Sequence, residues 1–169
     1  MFASVLLLCL VSFGVSYGSC PIESYSSTGC FASGSALVNI DRSFRSSMNS
    51  ICAAAISCRV KLYITDSYRR PDSPVLNPIV QPAQLSNHKI GHAIDMNVVY
   101  GTSNTLCNSR CLGGTQPAAV KCLIDAVKTA RRRWGGNFAI TDAVHIDDGY
   151  NLNVTAYRSL YAKIQRDCA

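Results

Sequence analysis

An α+β fold is expected, a small antiparallel sheet flanked by helices and stapled by disulfides, and three observations predict it. Apolar residues recur at helical spacing in three segments, and in others they alternate or cluster as in strands. The chain of 169 residues also carries nine cysteines, a density that suits a disulfide-bonded exported domain.

The chain begins with an uncharged apolar run, Val5-Leu6-Leu7-Leu8-Cys9-Leu10-Val11, that ends in small residues around Ser16-Tyr17-Gly18. This pattern reads as a secretory signal peptide over residues 1–18, too short for a membrane span. A single domain over residues 19–169 is then expected, about 150 residues and enough to bury a core. Secretion is the expected localisation, with no membrane span. Cys9 leaves with the leader, and Cys20, Cys30, Cys52, Cys58, Cys107, Cys111, Cys122 and Cys168 remain. An even set in an oxidising compartment predicts four disulfides, and the absence of paired CxxC units argues against zinc-finger use; spacing alone leaves the pairing open.

Phe44, Met48, Ile51, Cys52, Ala55 and Ile56 share one stripe and predict a helix from about Asp41 to Ile56. Val60 to Thr65 alternates as a strand, and Ala93 to Tyr100, with its β-branched Val98-Val99 pair, predicts a second. Between them Pro71, Pro74, Pro78 and Pro82 mark a surface loop, placed to form one wall of a cleft. A helix is expected from Pro117 to Arg132, with Thr115 as candidate cap and Val120, Leu123, Ile124, Val127 and Ala130 facing inward, stopped by Trp134-Gly135-Gly136. Phe138 to Thr141 reads as a strand, and Val154 to Arg166 as a last helix carrying Tyr157, Leu160, Tyr161 and Ile164.

The formal charge of +6 includes the cluster Arg131-Arg132-Arg133. Such a triplet suits the C-terminal turn of a helix, and the overall charge would draw in anionic polymers such as those of cell walls. No basic motif interleaved with aromatics is present, so nucleic acid is not an expected partner.

Chemistry concentrates in Ser86-Asn87-His88-Lys89-Ile90-Gly91-His92-Ala93-Ile94-Asp95 and, far downstream, Asp142-Ala143-Val144-His145. Two histidines and a carboxylate that converge can hold zinc and leave a fourth position open. Gly91 would let the backbone turn between His88 and Asp95, and His145 would close the set. Asp142 stands three residues before His145, near enough in a tight turn to act as general base and acid on the metal-activated water without ligating.

These residues carry a family resemblance. Ser86, His88, Gly91, Ala93 and Asp95 match the SxHxxGxAxD signature of the zinc D-alanyl-D-alanine carboxypeptidases and L-alanyl-D-glutamate endopeptidases, which cut peptidoglycan peptides. Ser67-Tyr68-Arg69 resembles the family's SGYR segment, Trp134-Gly135-Gly136-Asn137-Phe138 its WGGDW segment, and Asp142 to His145 its DxxH. The resemblance implies the Hedgehog-like fold of these peptidases, with His88, Asp95 and His145 as ligands to one Zn2+ and Asp142 as catalytic base. It makes Arg69 the group that holds a substrate carboxylate or steadies the developing oxyanion, with Arg70 as the fallback. A secreted, monomeric zinc peptidase acting on bacterial cell-wall peptides is the function implied; whether it trims a terminus or cuts internally is left open.

Asn137 replaces the acidic residue usual after the double glycine, and Ile146-Asp147 follows His145 where the family places Phe and a polar residue. His92 is expected to turn away from the metal as a cleft-wall or surface residue, and Ser86 to sit behind the ligands or simply in a loop. The alternative function is a non-catalytic zinc-containing secreted binding or signalling protein, as the Hedgehog amino-terminal domain is. Retention of both Asp142 and Arg69 favours the enzyme. Asn153-Val154-Thr155 is an N-glycosylation sequon.

Overall fold

The computed structural model describes residues 18–32, 37–75 and 80–168. Apart from Gly18, the signal-peptide segment lies outside the described residues. The strands are β1 (Ile22–Tyr25), β2 (Cys30–Ala32), β3 (Val38–Asp41), β4 (Val60–Asp66), β5 (Ala93–Tyr100), β6 (Thr105–Cys107), β7 (Arg133–Trp134) and β8 (His145–Asp147). The helices are α1 (Arg45–Ser57), α2 (Ser109–Gly113), α3 (Ala118–Thr129) and α4 (Val154–Asp167).

Strand β5 is central, in a sheet ordered β2-β4-β5-β8-β7, with β6 pairing its outer half. All pairings are antiparallel except β2 with β4, which is parallel. A separate two-stranded ribbon joins β1 and β3. The expected small antiparallel sheet flanked by helices is present, with that one parallel edge added.

Alternation along the strands sets the two faces of the sheet. Leu62 and Ile64 of β4, Ile94, Met96 and Val98 of β5, and Ile146 of β8 point into one core with α1 and α3. Complete burial of each such side chain contributes about 1.5–3 kcal/mol, enough to fix the register. The residues between them, Asp95 and Asn97 on β5 and His145 and Asp147 on β8, therefore face the other way. Helix α4 covers part of that second side through a smaller cluster of Ile90, Tyr157 and Ile164. Four disulfides join described residues: Cys20–Cys168, Cys30–Cys52, Cys58–Cys122 and Cys107–Cys111. The first ties the start of the described chain to the end of α4, and the third staples α1 to α3.

Several elements depart from the sequence reading. Asp41 ends β3 and caps a 3-10 turn, Arg42–Phe44, so α1 proper starts at Arg45. Helix α3 begins at Ala118 behind Pro117, without a Thr115 cap, and ends at Thr129. Its stop is Arg131 in the left-handed region (φ 59°), before the Trp-Gly-Gly segment is reached. Phe138 to Thr141 is not a strand: the amides of Phe138 and Asp142 both donate to the Gly135 carbonyl, which doubles the chain back on itself and leaves Ile140 exposed. The strand lies four residues further on, at His145–Asp147.

Gly91 adopts φ 71°, and a Cβ there would sit 2.4 Å from the Asp41 amide nitrogen, which donates to the Gly91 carbonyl. A Gly91→Ala substitution should therefore lower stability by at least about 1–2 kcal/mol, from left-handed strain plus the clash. Urea unfolding of the two proteins measures it.

Candidate metal centre

The β5–β8 register sets Asp95 directly opposite His145. His88 reaches the same point from the 3-10 turn Asn87–Ile90, after which left-handed Gly91 reverses the chain into β5. The segment behind His88 is pinned twice: its Nδ1 donates to the Ser67 carbonyl at 2.7 Å, and the Arg69 amide donates to the His88 carbonyl at 3.0 Å. This pairing explains why a Ser-Tyr-Arg segment and a distant histidine motif belong to one site.

His88 Nε2, His145 Nδ1 and Asp95 Oδ1 converge, at 3.1 Å between the nitrogens and 3.2 Å from each to the carboxylate oxygen. A tetrahedral zinc with bonds of about 2.0–2.1 Å spaces its ligand atoms by about 3.3 Å, so the triangle has the size such an ion requires. The chemistry of the outer contacts makes the same point. A carbonyl only accepts, so His88 Nδ1 carries a proton and Nε2 is the nitrogen that faces the triangle and would offer its lone pair to an ion there. His145 Nε2 is 2.9 Å from Asp147 Oδ2, an acceptor that likewise leaves Nδ1 as the inward lone pair. Three acceptors facing one another call for a cation between them, either a metal ion or a proton.

The electrostatics follow from that arrangement. Burial disfavours the His145 imidazolium, but hydrogen bonds to Asp147 and Asp95 and their charges outweigh it and raise its pKa to about 9. Burial would raise the Asp95 carboxyl, yet the charges and hydrogen bonds of His88 and His145 hold it well below the usual carboxylate range. To hold a metal ion in the triangle His145 would have to give up its inward proton, so binding would release protons and weaken in acid.

Asp142 lines the same cavity, of about 430 Å³, as the three converging residues. Its Oδ1 is buried without a hydrogen-bond partner among the described residues, and burial, followed by the negative charge of Asp95, raises its carboxyl pKa. A buried, unpartnered, more basic carboxylate beside an open ligand triangle is what proton transfer needs. Its position depends on Gly135: a Cβ there would lie 2.1 Å from the Asp142 carbonyl oxygen. The Trp134 indole then locks the turn by donating to the Ala143 carbonyl at 2.8 Å.

Arg69 lines this cavity and a second one of about 900 Å³, and its guanidinium is paired with Asp66 at 2.9 Å. Arg70 borders only the second and is far more exposed, beside Asp72. The proline loop supplies the expected wall through Val75 and Val80–Ala83. Ser86 contributes its carbonyl, which accepts from the Tyr157 hydroxyl at 2.9 Å.

Two groups at the site were not assigned a role from the sequence. Asp147 is buried behind His145 and held by Arg133 through two bonds, at 2.6 and 2.7 Å. A histidine and an aspartate two apart in a strand share one face, a signal present in His145-Ile146-Asp147. The arginine triplet is accordingly not one patch: Arg131 is exposed, Arg132 half-buried, and Arg133 is turned into the cleft.

His92 corrects the sequence reading. It is neither cleft wall nor surface but 2 % exposed, on the far side of Gly91. Its Nδ1 meets Asp148 at 2.8 Å, its Nε2 lies 3.1 Å from the Ser43 hydroxyl and 3.4 Å from Asp41, and the Tyr150 ring packs against it, tilted, at 4.3 Å. Burial alone would lower its pKa, but the hydrogen bonds and charges of Asp148 and Asp41 outweigh it and raise the value. The clasp therefore stabilises the fold fully below about pH 6.5, the unfolded value, and this contribution is lost as pH rises through the raised folded pKa. Zinc-saturated protein should show a falling urea midpoint on the alkaline side of pH 6.5, and a His92→Gln variant should lose that slope.

A triangle of two histidines and one aspartate, with a buried carboxylate lining the same cavity, is a donor set that could hold a metal ion on an α+β sheet. Residues 80–148 match the family model of D-alanyl-D-alanine carboxypeptidase, a zinc-dependent peptidase family, and this match bears out the resemblance carried by the motifs. The matched segment contains His88, Asp95, Asp142 and His145, while Arg69 lies before it. The match supports a zinc metallopeptidase with a peptide substrate. No curated protein matches the chain. No helix among the described residues is long and apolar enough to cross a membrane.

Proposed function

We propose that the protein is a secreted zinc peptidase that hydrolyses peptides of bacterial cell walls. The carrying observation is the triangle of His88 Nε2, His145 Nδ1 and Asp95 Oδ1 within reach of one ion, beside the unpartnered carboxylate of Asp142. One Zn2+ held there supplies Lewis-acid polarisation of the scissile carbonyl and a more acidic water.

The remaining work falls to side chains of this chain. Asp142 takes the proton of the attacking water and delivers it to the leaving amine, the role its raised pKa suits. Arg69 sits at the edge of the ligand site, where a positive group steadies charge developing on the carbonyl oxygen. Phe138, whose ring lies 5.7 Å from that of His145, gives the cleft an apolar wall. An unpartnered base is what a working enzyme keeps and a retired site has no need of, which favours catalysis over a purely binding role.

The functional unit is one domain, residues 19–169, acting as a monomer outside the cell, with the positive charge aiding approach to anionic wall polymers. The exposed side chain of Asn153 leaves its sequon open to glycosylation. Purified peptidoglycan incubated with the mature protein tests the function: new amino termini should appear, and a zinc chelator should stop their release. Absence of release from protein shown to hold one zinc per chain would favour the binding role.

A further inference from the structure

We infer that the outward face of the sheet beyond the ligand triangle is a docking surface for the amino-sugar strand of the wall, seating the sugar that carries the stem peptide; the inference rests on the peptidase reading above. The register of the strands lays this face out. Residues paired across a ladder share a face, and Asp95 and His145 form its first row. The next row is Phe31, Tyr63 and Asn97, on β2, β4 and β5, and the row after it is Lys61, Val99 and Leu106, on β4, β5 and β6. Two residues along a strand advance about 6.6 Å, which puts the two rows roughly 7 and 13 Å from Asp95.

The cleft continues onto these rows. The cavity of about 900 Å³ that borders Asp95 takes in Thr65 and Asn97, and an open depression of about 610 Å³ lies over the adjoining Phe31, Tyr63, Lys61, Val99 and Leu106. Phe31 is 40 % exposed and Leu106 49 %, whereas Leu62 and Val98 on the other face of the sheet are fully buried. An exposed apolar patch rimmed by polar groups marks an interaction surface.

The chemistry of the patch suits a sugar. The Phe31 and Tyr63 rings lie 5.2 Å apart at 58° and form an aromatic platform. The face of such a ring carries partial negative charge, and the C–H bonds on the flat side of a pyranose present partial positive charge to it. Asn97, Asn104 and Lys61 stand around the platform, with donors and acceptors for hydroxyl and acetamido groups. An apolar floor with a few polar groups is the composition of a small-ligand site. A protein partner fits less well: Tyr63 and Val99 are half-buried, and four side chains fall far short of the roughly 800 Å² that a stable partner covers.

Reach decides which part of the wall arrives there. The stem peptide hangs from the amino sugar by its amino end, and an extended stem of one to four residues spans roughly 3–14 Å. With the reacting bond at the triangle, the sugar therefore comes to lie over these rows, and the stem runs with its amino end toward Asn97.

The test titrates zinc-loaded mature protein calorimetrically with peptide-free glycan strands of alternating N-acetylglucosamine and N-acetylmuramic acid. The strands should bind. Phe31→Ser and Leu106→Ser, made separately at these exposed positions, should each weaken binding by at least about threefold, and Phe31→Tyr, which keeps the ring, should bind as the wild type does. The stem attached to its disaccharide should be cut with a lower KM than the free stem, an advantage that Phe31→Ser loses while its kcat/KM on the free stem is unchanged. Failure of the wild type to bind the strands, undiminished binding by both serine variants, or a wild-type dimer that Phe31→Ser turns into a monomer would overturn the inference. Strand binding that depends on Phe31, with neither form of the stem cut by protein holding one zinc, would uphold the docking surface and overturn the peptidase reading instead.

Discussion

Asp142→Ala should abolish hydrolysis while the protein keeps its zinc. The three converging atoms come from His88, Asp95 and His145, and Asp142 contributes none of them. Its carboxylate makes no compensating hydrogen bond through Oδ1, so its removal leaves no partner stranded and the fold should be little affected. Loss of positioned proton transfer lowers rates by about 10²–10⁴, and the fall should appear in kcat with zinc affinity unchanged. Asp142→Asn, of the same shape, should be equally impaired. In the wild type, activity should fall in acid through a carboxyl pKa above the ordinary range, because burial and the neighbouring Asp95 charge favour the protonated form. Parallel loss of zinc and activity in Asp142→Ala would make Asp142 a ligand or a folding residue.

The second large effect is expected at Asp147, which is buried behind His145. It accepts from His145 Nε2 at 2.9 Å and so presents Nδ1 to the ion; Arg133 in turn fixes the carboxylate from the adjoining strand, where the two residues pair across the ladder. Loss of such a supporting carboxylate weakens metal binding by about 10–100-fold. Asp147→Ala should show that loss in a zinc competition titration. It also leaves the half-buried Arg133 without its partner, and breaking a buried pair costs about 3–5 kcal/mol. Asp147→Asn retains an oxygen for Nε2–H and should recover much of the affinity. A purely structural Asp147 would lower the unfolding midpoint of the metal-free protein and leave the zinc dissociation constant of the folded protein unmoved.

The convergence of His88, Asp95 and His145 was legible because each of them stands in a motif whose spacing has a physical meaning. Gly91 signals the left-handed turn that lets His88 meet Asp95, and the alternation around Val98-Val99 places Asp95 on a strand. Asp147 and Arg133 escaped because their role exists only once β7 and β8 are paired; in the sequence Arg133 is the third of three arginines and Asp147 a departure from a family pattern. His92 was misplaced for a related reason. Its partners Asp41 and Asp148 lie about fifty residues away on either side, and it is enclosed only once the end of β3 and the segment after β8 close on it. Among the elements, the longer helices and β4 and β5 followed from periodicity. The three- and four-residue strands β1, β2, β3 and β6 are too short to show a period, and Phe138 to Thr141 carried strand-like composition into a turn held by the Gly135 carbonyl.

The most direct measurement returns zinc stepwise to chelator-stripped protein while the release of amino termini from peptidoglycan is followed. Activity should rise in proportion to zinc and level off at one ion per chain, and a His145→Ala variant should neither hold that equivalent nor regain activity. Hydrolysis that survives removal of the metal, or a full equivalent of zinc held by the His145→Ala variant, would contradict a catalytic zinc on His88, Asp95 and His145.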